Sequence, residues 1–488
     1  MAKAKDNTFV TIFSNFNVGV SPLANLDSLS EIGNAGNYSV ATNVDIISKP
    51  GILTQGPGLA TLTAGTQAGA ISDQVNFIID KAVASNVTYG ISDTLLHKIS
   101  ATAVTNTGGV FPRTITGATE GSSCVHFQGK LFYFYNKSSG ADCGVFDLTS
   151  TFDDVFFSTN VTAGAGALEK APHPVAKKED IMLFGNGRYV GTYISTTDTL
   201  ARQKLDFGAD TEVADVCFHA NQWYLAVNSG ITTGTNRASS QIYLYDGSAT
   251  SSILSDEVAL GLQQIGFILP VNGVIYVAYK ELSSDGGFAI GYVAGRQIKP
   301  LRYFTGSLPT FAQKTIYRNT IAFISGGLVY SCGAVVEQLP IQLSQLADGG
   351  FTTVGALASP FGTPMVASTE STSFKVAKFS GYTVASTWKS IVVPIVSGNS
   401  VGMIDRIVVM TNVLKASALC ALKIESNQAV TTTTIGNITT TGKTRHIFKV
   451  PVANVEDYRI FLDFSGGSAT NSVEIKRVIV TGHYVNKI

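Results

Sequence analysis

An apolar strand, a tight polar turn and a second apolar strand recur along this 488-residue chain. The phrase reads Cys217-Phe218-His219-Ala220-Asn221-Gln222-Trp223-Tyr224-Leu225-Ala226-Val227. It returns as Val125-His126-Phe127-Gln128-Gly129-Lys130-Leu131-Phe132-Tyr133-Phe134 and as Phe267-Ile268-Leu269-Pro270-Val271-Asn272-Gly273-Val274-Ile275-Tyr276-Val277. A hairpin repeated every few tens of residues cannot bury its apolar face alone, so copies must pack on one another, as the blades of a β-propeller do. A propeller hosts catalysis, binding or assembly, and the fold does not choose among them.

Further copies fall near Val87–Ile99, Ile181–Tyr193 and Ile316–Tyr330, with a degraded one near Met365–Phe379. Their spacing suits the roughly 40–50 residues of known propeller repeats. Third strands follow at Gln241–Gly247 and Phe288–Val293, and Asn272-Gly273 supplies the positive φ that a tight hairpin needs. The expectation is an all-β chain with an irregular six- or seven-bladed propeller over 75–369, seven preferred. The irregular loops Asn228–Ser240 and Ala163–Ala176, and the lack of a Trp-Asp signature, argue against a strict WD40 repeat.

Residues 1–74 lack sustained periodicity. They read as an extended N-terminal arm with a short helix or turn near Leu26–Ile32, lying against its own propeller or a neighbour. From 370 to 488 the pattern changes to strands at Ile391–Val396, Ile404–Met410, Leu419–Ile424, His446–Val450, Tyr458–Phe464 and Val473–Val480. Period-two alternation in the last two is the mark of strands with one buried face. This segment is expected to be a β-sandwich of jelly-roll type.

Charge narrows the function classes. Lys plus Arg and Asp plus Glu number 34 each, and charged residues make up only 14%, against about 25% in ordinary soluble proteins. A neutral chain has no global field for nucleic acid or an acidic membrane, and low net charge favours association. The five cysteines, Cys124, Cys143, Cys217, Cys332 and Cys420, include no C-x-x-C pair. They read as reduced, buried thiols, with a Cys124–Cys143 bridge as the alternative. The opening Met1–Asn7 has no apolar signal core, and no apolar run reaches membrane-spanning length. The chain is expected to be made in a cytoplasm and to stay soluble or assemble there.

A search for chemistry gives no catalytic, cofactor-binding or metal residues, and no cofactor. His97, His126, His173, His219, His446 and His483 are scattered without ligand spacing. His126 and His219 read as equivalent structural positions on two hairpins. Ser283-Ser284-Asp285-Gly286-Gly287-Phe288 echoes a sialidase box but lacks its Trp, and reads as a turn. Glu179-Asp180 point to opposite faces of a strand or sit in a solvated turn. Gly185-Asn186-Gly187-Arg188 reads as a β-turn, because no helix follows to bind an anion. Asp6, Asp45, Asp142, Asp147 and Asp463 show no EF-hand spacing. Trp223, Tyr224, Tyr243, Tyr245, Tyr276 and Tyr279 read as packing, with a sugar-stacking face as the alternative.

The opening carries a resemblance. Asn15-Phe16-Asn17-Val18-Gly19-Val20, then Asn37-Tyr38-Ser39-Val40-Ala41-Thr42-Asn43-Val44-Asp45, then Pro50-Gly51-Ile52-Leu53-Thr54-Gln55-Gly56-Pro57-Gly58 resemble the start of the tail-nozzle, or tail tubular, proteins of short-tailed bacteriophages. At 488 residues the chain is shorter than the best-known nozzles, which leaves its station in the tail open among nozzle, hub, collar and fibre anchor. The resemblance implies a virion structural protein, not an enzyme, assembled in the host cytoplasm. Its partners would be itself, in a ring of about six copies, with portal-adaptor proteins and fibres. Double-stranded DNA would pass through without sequence-specific binding, which few basic side chains would suit. The alternative is a carbohydrate-binding or glycan-degrading propeller acting in host-receptor recognition.

Overall fold

The structure, a computed structural model, describes residues 8–14, 16, 38–64, 71, 73–84, 86–105, 110–159, 162–163, 166–230, 240–247, 256–259, 263–281, 287–333, 342–348, 352–370, 373–382, 385–395, 400–427, 432–468 and 470–486. It is built of strands, with one four-residue helix, Phe156–Thr159, among the described residues. Two compact units divide the chain discontinuously: 60–327 with 350–378, and 1–59 with 328–349 and 379–488. The expected segments 1–74, 75–369 and 370–488 are cut differently from these units.

The first unit is a propeller of seven blades. Its inner strands are Val75–Ile78, Glu120–Phe127, Val175–Lys178, Thr211–His219, Gln263–Val271, Lys314–Tyr317 and Thr353–Ala358. Each packs against the next, and the seventh returns to the first. Blades 2, 4 and 5 are complete antiparallel meanders of four consecutive strands. The closure of blades 7 and 1 uses chain from before the first blade. The Leu62 N–H donates to the Val376 carbonyl at 2.8 Å, and Thr63-Ala64 run parallel to the outer strand of blade 1.

Local chemistry explains the blade shape. The first hairpins of blades 2, 4, 5 and 6 turn through Gln128-Gly129, Ala220-Asn221, Asn272-Gly273 and Arg318-Asn319, all eight residues at positive φ. That is the primed geometry whose twist matches the strands it joins. Inner strands of blades 1, 2, 4, 5 and 7 each carry a bulge, at Asn76, Ser122, Ala214, Gly266 and Gly355. A bulge bends the strand and raises its twist, as a blade needs near the axis. A Cβ on Gly266 or Gly355 would stand 2.1 Å from Pro309 O or Val75 O in the adjacent blade. Between the blades lies a core of aromatics, such as Phe132, Phe134, Phe157, Phe184 and Tyr193 between blades 2 and 3.

The recurring phrase marks real hairpins, but not one blade position. Val125–Tyr135, Cys217–Val227 and Phe267–Tyr279 join strands one and two, whereas Val87–Ile99 and Ile181–Tyr193 join strands two and three. The equivalence of His126 and His219 fails for a related reason. His126 pairs with Leu131 and His219 with Gln222, so Phe127 is the residue matching His219 beside the turn.

In the second unit eight strands stand four on four: β1 (Thr8–Ser14), β2 (Ser386–Ser390), β3 (Ser400–Thr411), β4 (Leu419–Ser426), β5 (Thr433–Ile438), β6 (Arg445–Val455), β7 (Asp457–Ser465) and β8 (Glu474–Asn486). One sheet runs β1-β8-β3-β6 and the other β2-β7-β4-β5. Successive strands cross between sheets everywhere except β4 to β5. This is a jelly roll, and the propeller is inserted in sequence between its first and second strands. Along β7 burial alternates, turning Tyr458, Ile460, Leu462 and Phe464 inward. Phe13 of β1 meets Trp388 and Tyr458 of the facing sheet at 6.2 and 6.4 Å, and Phe16 meets Trp388 at 5.2 Å. Each such fully buried aromatic contributes roughly 2–3 kcal/mol.

The expected arm therefore needs correction. Its described residues up to 59 fall in the jelly-roll unit, and those from 60 on belong to the propeller. β1 pairs with β8 from Thr8↔His483 to Ser14↔Arg477, Tyr38–Thr42 pairs with β2, and Leu53-Thr54 pair with Ile475-Glu474. Leu26–Ile32 lies outside the described residues. Among the described residues of Ile391–Val396 only Val393-Pro394 is strand. The real strand is β2 just before it, and β5 was not anticipated.

Candidate functional site

The seven inner strands bring together charges that are far apart in sequence. A cavity of about 270 Å³ at the propeller's centre is lined by Phe77, Asp80, Lys177, Asp215, Phe311 and Lys314 among others. A second of about 320 Å³ shares Phe77, Asp80 and Lys177 and adds Lys81 and His126. No local spacing foretold this set, because its charges Asp80, Lys177, Asp215 and Lys314 come from blades 1, 3, 4 and 6.

The two carboxylates are held by the blades themselves. Asp215, fully buried, forms an ion pair with Lys314. The same oxygen accepts from the Ile268 N–H at 2.7 Å, and its other oxygen from the Val216 N–H at 2.9 Å. Lys314 also donates to the Ile268 carbonyl at 2.7 Å, so one cluster ties blades 4, 5 and 6. Burial raises the Asp215 pKa and Lys314 opposes that. Asp80 accepts from the Thr315 hydroxyl and from the N–H groups of Ser359 and Ile316, joining blades 1, 6 and 7. Desolvation pushes it up to about 6 against these donors. Lys177 donates to the His126 carbonyl, and its pKa falls through burial and the nearby Lys81.

Glycoside hydrolysis needs one carboxyl free to give a proton and another free to attack or activate water. Here Asp80 and Asp215 act as pins between blades. The remaining positive groups, Lys81 and Lys177, together with the apolar walls, suit an anionic guest better than a hydrolytic water.

The histidines are placed apart. His97 Nε2 and Ser92 Oγ share a hydrogen bond at 3.0 Å, and His173 donates from Nδ1 to the Gly185 carbonyl at 2.8 Å. Both are buried, and desolvation lowers each to about 4. Burial lowers His126 and His446 as well. His219 ends an inner strand, and His483 pairs with Asp405 at 2.9 Å. No group of three or more potential metal ligands occurs among the described residues. All five cysteines are buried and unbridged.

The other singled-out motifs fall into structural places. Gly185–Arg188 is the turn between two strands of blade 3, with Arg188 over the Tyr189 ring at 4.6 Å. Asp180 accepts from Thr196 Oγ1 at 2.9 Å, beside the exposed Glu179. Asp45 and Asp147 close turns, Asp142 binds Lys137, and Asp463 binds Lys423. Asp6 and residues 283–286 lie outside the described residues, and Phe288 is buried against Phe304. Trp223, Tyr245, Tyr276 and Tyr279 are buried core, with Tyr224 and Tyr243 partly so.

On the jelly roll a groove of about 690 Å³ is lined by Phe9, Val10, Met403, Asp405, Arg406 and Lys449 among others. Its floor is uneven because β3 bulges against β8 at Asp405.

No family model and no curated protein matches the sequence. Among solved structures, the chain is similar to the extracellular domain of the one-component system BT4673 from B. thetaiotaomicron, at 10% identity and a TM-score of 0.43, covering 71% of this chain. It spans 43% of that protein's length. Exo-β-1,3-galactanase from Phanerochaete chrysosporium gives 11% identity and 0.31, covering 88% of this chain and 100% of the other. Trypanosoma rangeli sialidase gives 9% and 0.33, covering 88% and 97%. Likenesses this distant carry no chemistry to this chain, whose all-β class rests on its own strand order. No helix among the described residues is long and apolar enough to cross a membrane.

Proposed function

We propose that the protein is a non-catalytic assembly and recognition component of a tailed-bacteriophage virion, a jelly roll carrying an inserted propeller. The observation that supports the non-catalytic part is the use of Asp80 and Asp215 to pin blades together, which leaves no free carboxylate pair among the described residues lining the central cavity. The virion part rests on the resemblance of the opening segment. Its Asn43-Val44-Asp45 phrase has a physical task, since Asp45 accepts from the N–H groups of Ile47 and Ser48 at 2.9 and 2.8 Å. That turn carries Lys49 to Glu474 of β8, at 2.5 Å. Native mass measurement with negative-stain imaging is expected to show closed rings of about six copies. A stable monomer that releases reducing sugar from host cell walls overturns the reading.

A second reading, recognition of host glycans, is favoured by the central cavity, where Lys81 and Lys177 stand near Phe77. It expects binding of acidic oligosaccharides without turnover. Unchanged binding after Lys177→Glu counts against it.

A further inference from the structure

The outer face of the β1-β8-β3-β6 sheet is ordered in three rows by strand register. One row reads Val10, Thr481, Arg406, Lys449; the next Ile12, Ile479, Val408, Ile447; the third Ser14, Arg477, Met410, Arg445. The opposite parity, Phe13, Val478, Val480, Ile407 and Val409, is buried in the sandwich. The outward rows place an aliphatic band between two rows that each hold two cations. In the band Ile447 is 52% exposed, Ile12 and Ile479 are half-buried and Val408 is buried at 4%, while Val10 (59%) and Met410 (37%) add exposed apolar surface in the two flanking rows.

The cations are unusual in their company. Arg406 and Lys449 are direct cross-strand neighbours, and Arg477 and Arg445 flank Met410. Like charges set opposite one another are unfavourable unless a counter-charge arrives. None of the four side chains has a hydrogen-bond or ion-pair partner among the described residues. The three rows contain no acidic residue; Asp405, at the β3 bulge beside Arg406, lies next to them and is paired with His483 at 2.9 Å.

We propose that this face docks an acidic amphipathic helix of a partner protein, with its apolar stripe along the aliphatic band. Spacing fits that occupant. The band crosses three inter-strand gaps, about 14 Å, which is about ten residues of helix. The cation rows lie four residues apart on β3, again about 14 Å, so carboxylates on both flanks of a helix about 10–12 Å wide reach them. A sugar would be met by aromatic faces rather than aliphatic ones, and a nucleic-acid backbone gains nothing from an aliphatic band. This deepens the assembly reading by naming the chemistry of a partner.

The test is direct binding to the full chain, measured by fluorescence anisotropy. The probe is a helical peptide of about four turns with a leucine stripe flanked by glutamates. Controls are its lysine-flanked twin, duplex DNA and an oligouronate. The acidic peptide is expected to bind and to weaken as salt rises. Arg406→Glu with Lys449→Glu should reduce affinity at least about 10-fold, and Ile447→Asp, at an exposed position, several-fold. Circular dichroism checks that each variant is folded. The proposal is overturned by no peptide binding at low salt, by DNA or oligouronate binding equally well, by Ile447→Asp binding as the parent does, or by sedimentation showing that the face is instead occupied by a second copy. Ring formation is scored separately in the same variants. Rings without peptide binding remove only this inference, and peptide binding without rings removes only the ring reading.

Discussion

The propeller and the jelly roll reach closure by opposite routes. In the propeller, complete blades are consecutive hairpins, and long-range pairing comes at the seam, where Leu62 meets Val376, with polar pins at the axis. In the jelly roll the central β8 is held by β1, whose residue partners lie more than 400 positions away. One unit can be assembled piecewise; the other has no complete sheet until its distant strands meet. The lesson is that equal strand content conceals unequal dependence on chain connectivity.

Each unit happens to carry one of the two tryptophans, Trp223 in blade 4 and Trp388 in β2, both buried. Single-tryptophan variants therefore read the units separately, and coincident transitions for both would break the comparison. The largest effect is expected for Lys314→Met, which leaves Asp215 buried and unpaired and should cost the propeller about 3–5 kcal/mol by denaturant titration. Its Trp388 signal should not move. Phe13→Ala is expected to cost the jelly roll about 3–4 kcal/mol, seen at Trp388 and not at Trp223.

Acid should act on the propeller next. His97 and His173 are held near 4 against 6.5 in the free side chain, so the folded state binds fewer protons than the unfolded one. Their contribution is complete above pH 6.5 and is lost as pH falls toward 4. Asp80, raised to about 6, works in the other direction, favouring the fold as pH falls from 6 to 4. The two histidines outweigh it. His97→Gln should flatten the acid loss by about 2–3 kcal/mol, measured from Trp223 midpoints between pH 7 and 4. The smallest effect is a gain. Ala220 sits at φ +47 in a primed turn, and Ala220→Gly should stabilise the propeller by about 1 kcal/mol.

The hairpins were legible because their information is local. Asn272-Gly273 between apolar runs announces a primed turn from two residues. The alternation in Tyr458–Phe464 likewise announced one buried face. β1 was not legible as a jelly-roll strand, since Phe13 acquires meaning only beside Trp388 and Tyr458. Asp80, Asp215 and Lys314 were missed because three hydrophilic residues in three blades share no spacing. Arg406 and Lys449 stood inside or beside recognised strands, but only the register sets them opposite each other. Gly266 and Gly355 carry no local signal, since the close approach that requires them is made by the backbone at Pro309 and Val75.

The insertion of the propeller between β1 and β8 also sets a timetable. At about 5–20 residues per second of synthesis, β1 emerges roughly 25–90 s before its partner exists. Every blade can form in that interval, while β1 travels as an unmatched strand bearing Phe9, Ile12 and Phe13. During translation β1 is thus a pairing edge made long before its partner, and the ribosome's pace, or a chaperone's grip on residues 8–14, bears on how much of the chain ends in one molecule rather than paired to another.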